Sequence, residues 1–167
     1  YSLHGIYVQP HLDAFFVASN ELKFRLERYG IDPQKIHITG IPVAPEFCRE
    51  FTDDQIVDLK NELKLNTELQ LVMMMMGGES KDTLEKLSEL LLSRYDHYAF
   101  IVLPGKNQRV LNNLLEIKTR YPDRMFPVPF TTEVWKNLAV SDLVVSKPGG
   151  LSTSECIAMR KPLIIMY

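Results

Sequence analysis

Residues 69–78 read LQLVMMMMGG, the most apolar run in the chain, closed at once by Gly77-Gly78. A strand over 69–76 followed by a glycine turn predicts a helix next, and an amphipathic pattern runs from about Ser80 to Tyr95. The alternation then continues to the end of the sequence. Strand YAFIVLPG (98–105) precedes helix NQRVLNNLLEIKTRYP (107–122). Strand MFPVPF (125–130) precedes helix TTEVWKNLAV (131–140). Strand DLVVS (142–146) precedes helix GLSTSECIAM (150–159), and strand PLIIM (162–166) is expected to enter a core. Short apolar strands alternating with helices of about 10–15 residues predict an α/β fold: a parallel sheet with helices on both faces. The four methionines read as core filler, because flexible thioether side chains fill irregular gaps.

Upstream lies a shorter unit of the same kind. AFFVA (14–18) suggests a strand buried on both faces. Ser19 or Asn20 caps the helix NELKFRLERY, which carries Leu22 and Leu26 on one face and ends at Gly30. KIHITGIPV (35–43) is a second strand, stopped by Gly40 and Pro42. The stretch 42–51 holds two prolines and reads as a boundary. Thr52 or Asp53 then caps a helix to about Leu65, with Ile56, Leu59 and Leu63 on one face. Two parts result: residues 1–44, the end of one α/β unit, and residues 45–167, most of a second.

The 167 residues are 46% hydrophobic and 24% charged, with a net charge of -2. That excludes a disordered chain and argues against nucleic acid as a partner, which calls for a basic stripe. Cys48 and Cys156 are the only cysteines. They lie far apart without a CxxC, so neither a metal site nor a disulfide framework is expected, and a reducing cytoplasmic setting is. No apolar run reaches the roughly 18 residues of a membrane span. The sequence opens at Tyr1 without Met and stops after an apolar strand, which predicts a piece of a longer protein.

Ligands of an open parallel sheet bind at the carboxyl ends of its strands. Two turns there carry candidates. Gly77 and Gly78 permit close backbone approach ahead of a helix. Val145-Ser146-Lys147-Pro148-Gly149-Gly150-Leu151-Ser152-Thr153-Ser154-Glu155 runs a strand into a helix that opens with hydroxyl residues. Free N–H groups, hydroxyls and the positive dipole end make a phosphate cradle. Ser152-x-x-Glu155 has equally the spacing of a capping box, which needs no ligand. Neither turn is G-x-G-x-x-G or carries Gly-Lys-Ser/Thr, so the dinucleotide and P-loop fingerprints are lacking.

The stretch DLVVSKPGGLSTSECIAMRKPLIIMY (142–167) resembles the donor-binding signature of glycosyltransferase family 28, in particular the diacylglycerol glycosyltransferases: bacterial processive glucosyltransferases and plant-type monogalactosyldiacylglycerol synthases. QPHLDAFFVAS (9–19), KIHITGIPV (35–43) and VLPGKNQRVLNNL (102–114) are similar to further segments of that family, in the same order. The resemblance implies a GT-B fold of two Rossmann-like domains, with residues 1–44 ending the acceptor domain and 45–167 forming the UDP-sugar domain. It implies that Gly149, Gly150, Ser152 and Thr153 meet the diphosphate, that Glu155 takes the ribose hydroxyls, and that the backbone near Phe130 reads the uracil. Gly77 and Gly78 are further candidate donor-binding residues, at a turn where family members often carry more glycine. His4 is a candidate cleft residue, with packing at the surface as the alternative. Lys147 would sit near the phosphates or be an ordinary strand-end lysine.

The implied donor is UDP-glucose or UDP-galactose, with no tightly bound cofactor and no metal. The implied acceptor is diacylglycerol, with peripheral contact at the inner face of the cell membrane. The acceptor base and the segment gripping the donor sugar are expected outside this sequence, so the piece alone is expected to bind UDP without transferring sugar. Alternatives are the peptidoglycan-precursor N-acetylglucosaminyltransferase of the same fold and a non-catalytic nucleotide-sugar-binding module.

Overall fold

A computed structural model describes residues 4–65, 67–76 and 83–166. The residues form two compact units, 1–42 and 43–167.

In the first unit, β1 (Phe15–Val17) and β2 (Ile36–Ile38) pair in parallel, connected through α1 (Asn20–Arg28). Ser19 caps α1, its hydroxyl accepting from Leu22 N–H at 3.4 Å. At the other end Gly30 takes φ 84°, donating to the Glu27 carbonyl, and Ile31 donates to that of Leu26. Those two bonds satisfy carbonyls the helix leaves open, and Ile31 and Leu26 join Phe15, Val17 and Ile36 in a small core. The expectation that 14–18 is buried on both faces fails at Phe16, which is 72% exposed and stacks on His37 at 5.5 Å between ring centres. A two-stranded layer with one helix buries alternate residues only. β2 is also shorter than expected, because Gly40 at φ 77° turns the chain away.

The second unit opens with a 3-10 turn (Pro45–Cys48) and α2 (Asp53–Glu62). Thr52 and Gln55 close a capping box at α2: Gln55 N–H reaches the Thr52 hydroxyl, and Thr52 N–H reaches Gln55 Oε1. There follow β3 (Gln70–Met75), α3 (Thr83–Arg94), β4 (Tyr98–Leu103), α4 (Gln108–Arg120), β5 (Met125–Pro127), α5 (Val134–Val140), β6 (Leu143–Ser146), α6 (Gly150–Ala158) and β7 (Leu163–Ile165). All strand pairs are parallel, in the order β5-β4-β3-β6-β7.

Helices cover both faces. Leu59 of α2, Leu138 of α5 and Cys156 of α6 pack with Met73 and Ile101 on one side. Leu84 of α3 and Leu114 of α4 pack with Met74 and Phe100 on the other. Met73 and Met74 are wholly buried on opposite faces of the central strand, the place expected of core filler. Each fully buried apolar side chain of β3 and β4 contributes about 1.5–3 kcal/mol, so these strands dominate the core.

Two edges depart from expectation. β7 enters the core only in part: Leu163 and Met166 pack against the two clusters, while Ile164 and Ile165 are 49% and 44% exposed. Helix α5 starts at Val134 rather than 131, because the Thr131 hydroxyl accepts from Glu133 N–H in a local turn.

Candidate functional site

The chain leaves β3 in one direction to lay down β4 and β5, then crosses back to β6 and β7. The reversal lies between β3 and β6, whose ends pair Met75 with Ser146. Helices diverge to opposite faces there, which opens a crevice at the carboxyl ends of the strands. A cavity of about 360 Å³ occupies that place. Its walls come from the ends of β3 (Met75), β4 (Leu103, Gly105) and β6 (Ser146, Lys147), from the turn after β5 (Pro129, Phe130, Thr131), from α5 (Val134), and from the start of α6 (Gly149, Ser152).

The structure thus gathers Phe130, Lys147, Gly149 and Ser152 around one cavity, four of the residues singled out in the sequence. Phe130 is 57% exposed at its rim, with Lys106 Nζ 4.9 Å from the ring centre. Gly150, Thr153 and Glu155 lie on the same helix, outside the cavity wall. Gly77 and Gly78 fall outside the described residues. His4 belongs to the first unit and is exposed; its Nδ1 accepts from Ile6 N–H at 3.3 Å and caps a short 3-10 turn.

The capping-box reading of Ser152 and Glu155 does not hold. Helix α6 begins at Gly150 with Gly149 as its N-cap, and no side chain caps it. Ser152 is therefore three residues past the cap. The first amides of α6 lack a side-chain acceptor, and the helix dipole adds positive potential there. Gly149 has φ -106°, a conformation open to any residue, and an added Cβ would meet Ser152 Oγ only at 3.9 Å. Backbone geometry does not demand glycine at 149; a ligand approaching the backbone would.

Burial pushes the Glu155 carboxyl above the usual carboxylate range. It is partly buried, and among the described residues it makes no hydrogen bond or ion pair. Cys156 beside it is fully buried, with its thiol pushed up to about 11. No group of three or more His, Cys, Asp or Glu able to hold a metal occurs among the described residues.

A larger cleft of about 650 Å³ lies at the opposite end of the strands, with Arg49, Lys60, Arg160 and Lys161 in its wall. Most of that charge is committed within the fold. Lys161 Nζ donates to the Ala139 carbonyl at 2.7 Å, Arg160 pairs with Glu50 at 3.2 Å, and Arg49 lies over Trp135. Size alone does not make it the site.

Ser146 went unremarked in the sequence, where it is only a strand-end serine. The signal available was its position at the carboxyl end of a parallel strand, which also marks Gly105.

Taken together, parallel order and helices on both faces define a Rossmann-like α/β unit, with a cavity at its strand reversal. Solved structures share the fold. One is UDP-GlcNAc 2-epimerase from Neisseria meningitidis bound to UDP-GlcNAc, at 15% identity and TM-score 0.64, over 92% of this chain and 44% of that one. Another is Anabaena HepE in complex with UDP-glucose, at 15% identity and TM-score 0.59, over the same shares. Residues 1–43 match the family model of monogalactosyldiacylglycerol (MGDG) synthase. The chain is 30% identical over 165 residues to the processive diacylglycerol beta-glucosyltransferase of Bacillus licheniformis, covering 99% of this chain and 42% of that protein. The resemblance to the diacylglycerol glycosyltransferases of family 28 is thereby borne out. The chain spans less than half the length of the curated relatives it matches.

Proposed function

We propose that this chain carries the donor side of a glycosyltransferase that moves a hexose from a UDP-sugar to diacylglycerol. The observation that carries this reading is the cavity at the strand reversal, with the uncapped start of α6 on one side and Phe130 on the other. The relative's name supplies the chemistry: a beta-glucosyltransferase acting on diacylglycerol. On this reading, residues 1–42 belong to the acceptor side and 43–167 to the donor side.

In such a transfer the anomeric carbon–phosphate oxygen bond breaks and the acceptor hydroxyl oxygen bonds to that carbon. A base takes the hydroxyl proton, and the departing UDP gains negative charge. Amides at the start of α6 would stabilise that charge as it develops. We assign no acceptor base within residues 1–167. UDP-glucose and UDP-galactose are the proposed donors. Peripheral contact with the inner face of the cytoplasmic membrane is proposed because the acceptor is a lipid. No helix among the described residues is long and apolar enough to cross a membrane.

Calorimetry with UDP, ADP and NAD on this chain tests the reading. Binding of UDP in preference to ADP and NAD is expected; no preference overturns it. A transfer assay from UDP-hexose to diacylglycerol by this chain alone is expected to show no ordinary turnover, and turnover would overturn the assignment of the base to sequence outside it.

A further inference from the structure

On the face of the sheet that α3 and α4 cover, a second cavity of about 260 Å³ opens beside α3. Its floor is Leu143 and Val145 of β6 and Ile164 of β7, with Met166 just past that strand. Val145 pairs with Met74 on one side and Ile164 on the other, so all three share this face. Leu87 and Leu91 of α3 form the wall. Leu90, one turn from Leu87, extends that apolar surface outward and is 46% exposed. Among the described residues α3 and α4 are the helices of this face, and α4 lies against β5 at the opposite edge. The strip over β6 and β7 is therefore bare.

The two flanks of α3 differ. Leu84, Ser88 and Leu92 face the sheet and are buried. Toward α4 the flank is polar: Glu85 accepts from Asn113 Nδ2 at 2.8 Å, and Glu89 pairs with Arg120. Away from α4 it carries Leu87, Leu90 and Leu91, the i, i+3, i+4 spacing of one helical stripe. A second apolar stripe suits a helix with a second apolar neighbour. Strands lie about 4.8 Å apart and packed helices about 8–10 Å, so a strip two strands wide takes one helix. The winding of the sheet does not supply it. Helix α6 connects β6 to β7 on the other face, where Cys156 packs with Met73. Parallel connections are right-handed, so a crossover from β7 to a strand beyond it would take the α6 face again. The curated relatives have length for further helices, since this chain spans 42% of the Bacillus licheniformis protein.

We propose that this trough seats one amphipathic helix from polypeptide outside residues 1–167, packed beside α3 with its apolar stripe on Val145 and Ile164. That helix is not a strand-to-strand crossover: it returns over the face opposite α6. It closes the core of the second unit and ties a distant segment to it. The proposal does not depend on the nucleotide reading.

The test is cysteine labelling. Leu90→Cys and Ile164→Cys are placed singly in a Cys48→Ser background, with Leu115→Cys on α4 as the control. All three replace exposed side chains, and a melting curve of each variant checks its fold. Maleimide labelling of the 167-residue chain is compared with that of the same protein expressed over its whole reading frame. The two trough cysteines are expected to label fast in the first and roughly tenfold or more slowly in the second, at every protein concentration and without lipid. Leu115→Cys is expected to label fast in both. Fast labelling of the trough in the whole protein overturns the proposal. Protection that appears only at high protein concentration assigns the surface to a second copy and overturns it too. Protection that appears only with phosphatidylcholine vesicles assigns it to lipid, with the same result. As a second readout, Leu90→Glu is expected to lower the melting temperature of the whole protein by about 2 °C or more and that of the 167-residue chain by less than half as much. Equal shifts overturn the proposal.

Discussion

Asp142 and Leu71 are bonded to each other twice. Asp142 N–H donates to the Leu71 carbonyl at 2.8 Å, and Leu71 N–H donates to Asp142 Oδ2 at 2.7 Å. This clamp sits where β6 enters the sheet beside β3. It sets the register that brings Ser146 opposite Met75 four residues later. Leu71 is wholly buried, so its N–H has no water to fall back on. Asp142→Ala is expected to destabilise the chain by about 1–3 kcal/mol in urea unfolding, with Asp142→Asn milder because an amide oxygen can still accept. No change in the urea midpoint would show the clamp to be dispensable.

Gly149 separates folding from binding. Its φ is open to any residue and a Cβ meets only ordinary contacts, so Gly149→Ala should leave the melting temperature nearly unchanged. UDP affinity should fall by tenfold or more, because the methyl occupies the approach to the α6 amides. Paired thermal and calorimetric measurements check both halves.

Glu155 carries the pH dependence. Its carboxyl is held above the usual carboxylate range by burial, so the fold favours the protonated form. The cost of ionising it is absent below the ordinary carboxylate value, grows as pH rises toward the raised one, and is constant above it. Glu155→Gln should therefore raise the melting temperature by about 1–2 °C at pH 7, the shift being small because the group is only partly buried. The gain should vanish by roughly pH 3.5. A gain that persists at low pH would point to packing instead.

The two thiols should differ sharply. Cys48 is exposed, whereas Cys156 is fully buried with its thiol pushed up to about 11. Thiolate is the reactive form, so a disulfide reagent at pH 8 should titrate one thiol in the native chain and two in denaturant. Two fast-reacting native thiols would contradict the packing of α6.

Much of the architecture was legible because local physics carries it. Leu22 and Leu26 share the inward side of α1, Thr52 caps α2 as its hydroxyl should, and Gly30 adopts the positive φ that ends α1. The capping box at Ser152 and Glu155 was misread for the opposite reason. Its spacing is right, but the chain turns into α6 two residues earlier, at Gly150, and spacing alone does not say where a helix begins. The burial of Phe16 was overestimated because an apolar residue reveals a preference, not whether a helix covers it.

By itself the sequence determined the alternation of strands and helices, the parallel sheet they imply and the family likeness of its Pro-Gly-Gly turn, because periodicity and turn chemistry act over a few residues. Tertiary structure alone decided the order β5-β4-β3-β6-β7 and with it the place of the cavity. Met75 and Ser146 are 71 positions apart in the chain and become neighbours only when the crossover from β5 lands β6 beside β3. That pairing depends on which faces the helices cover, a contest between distant apolar surfaces that no local pattern records.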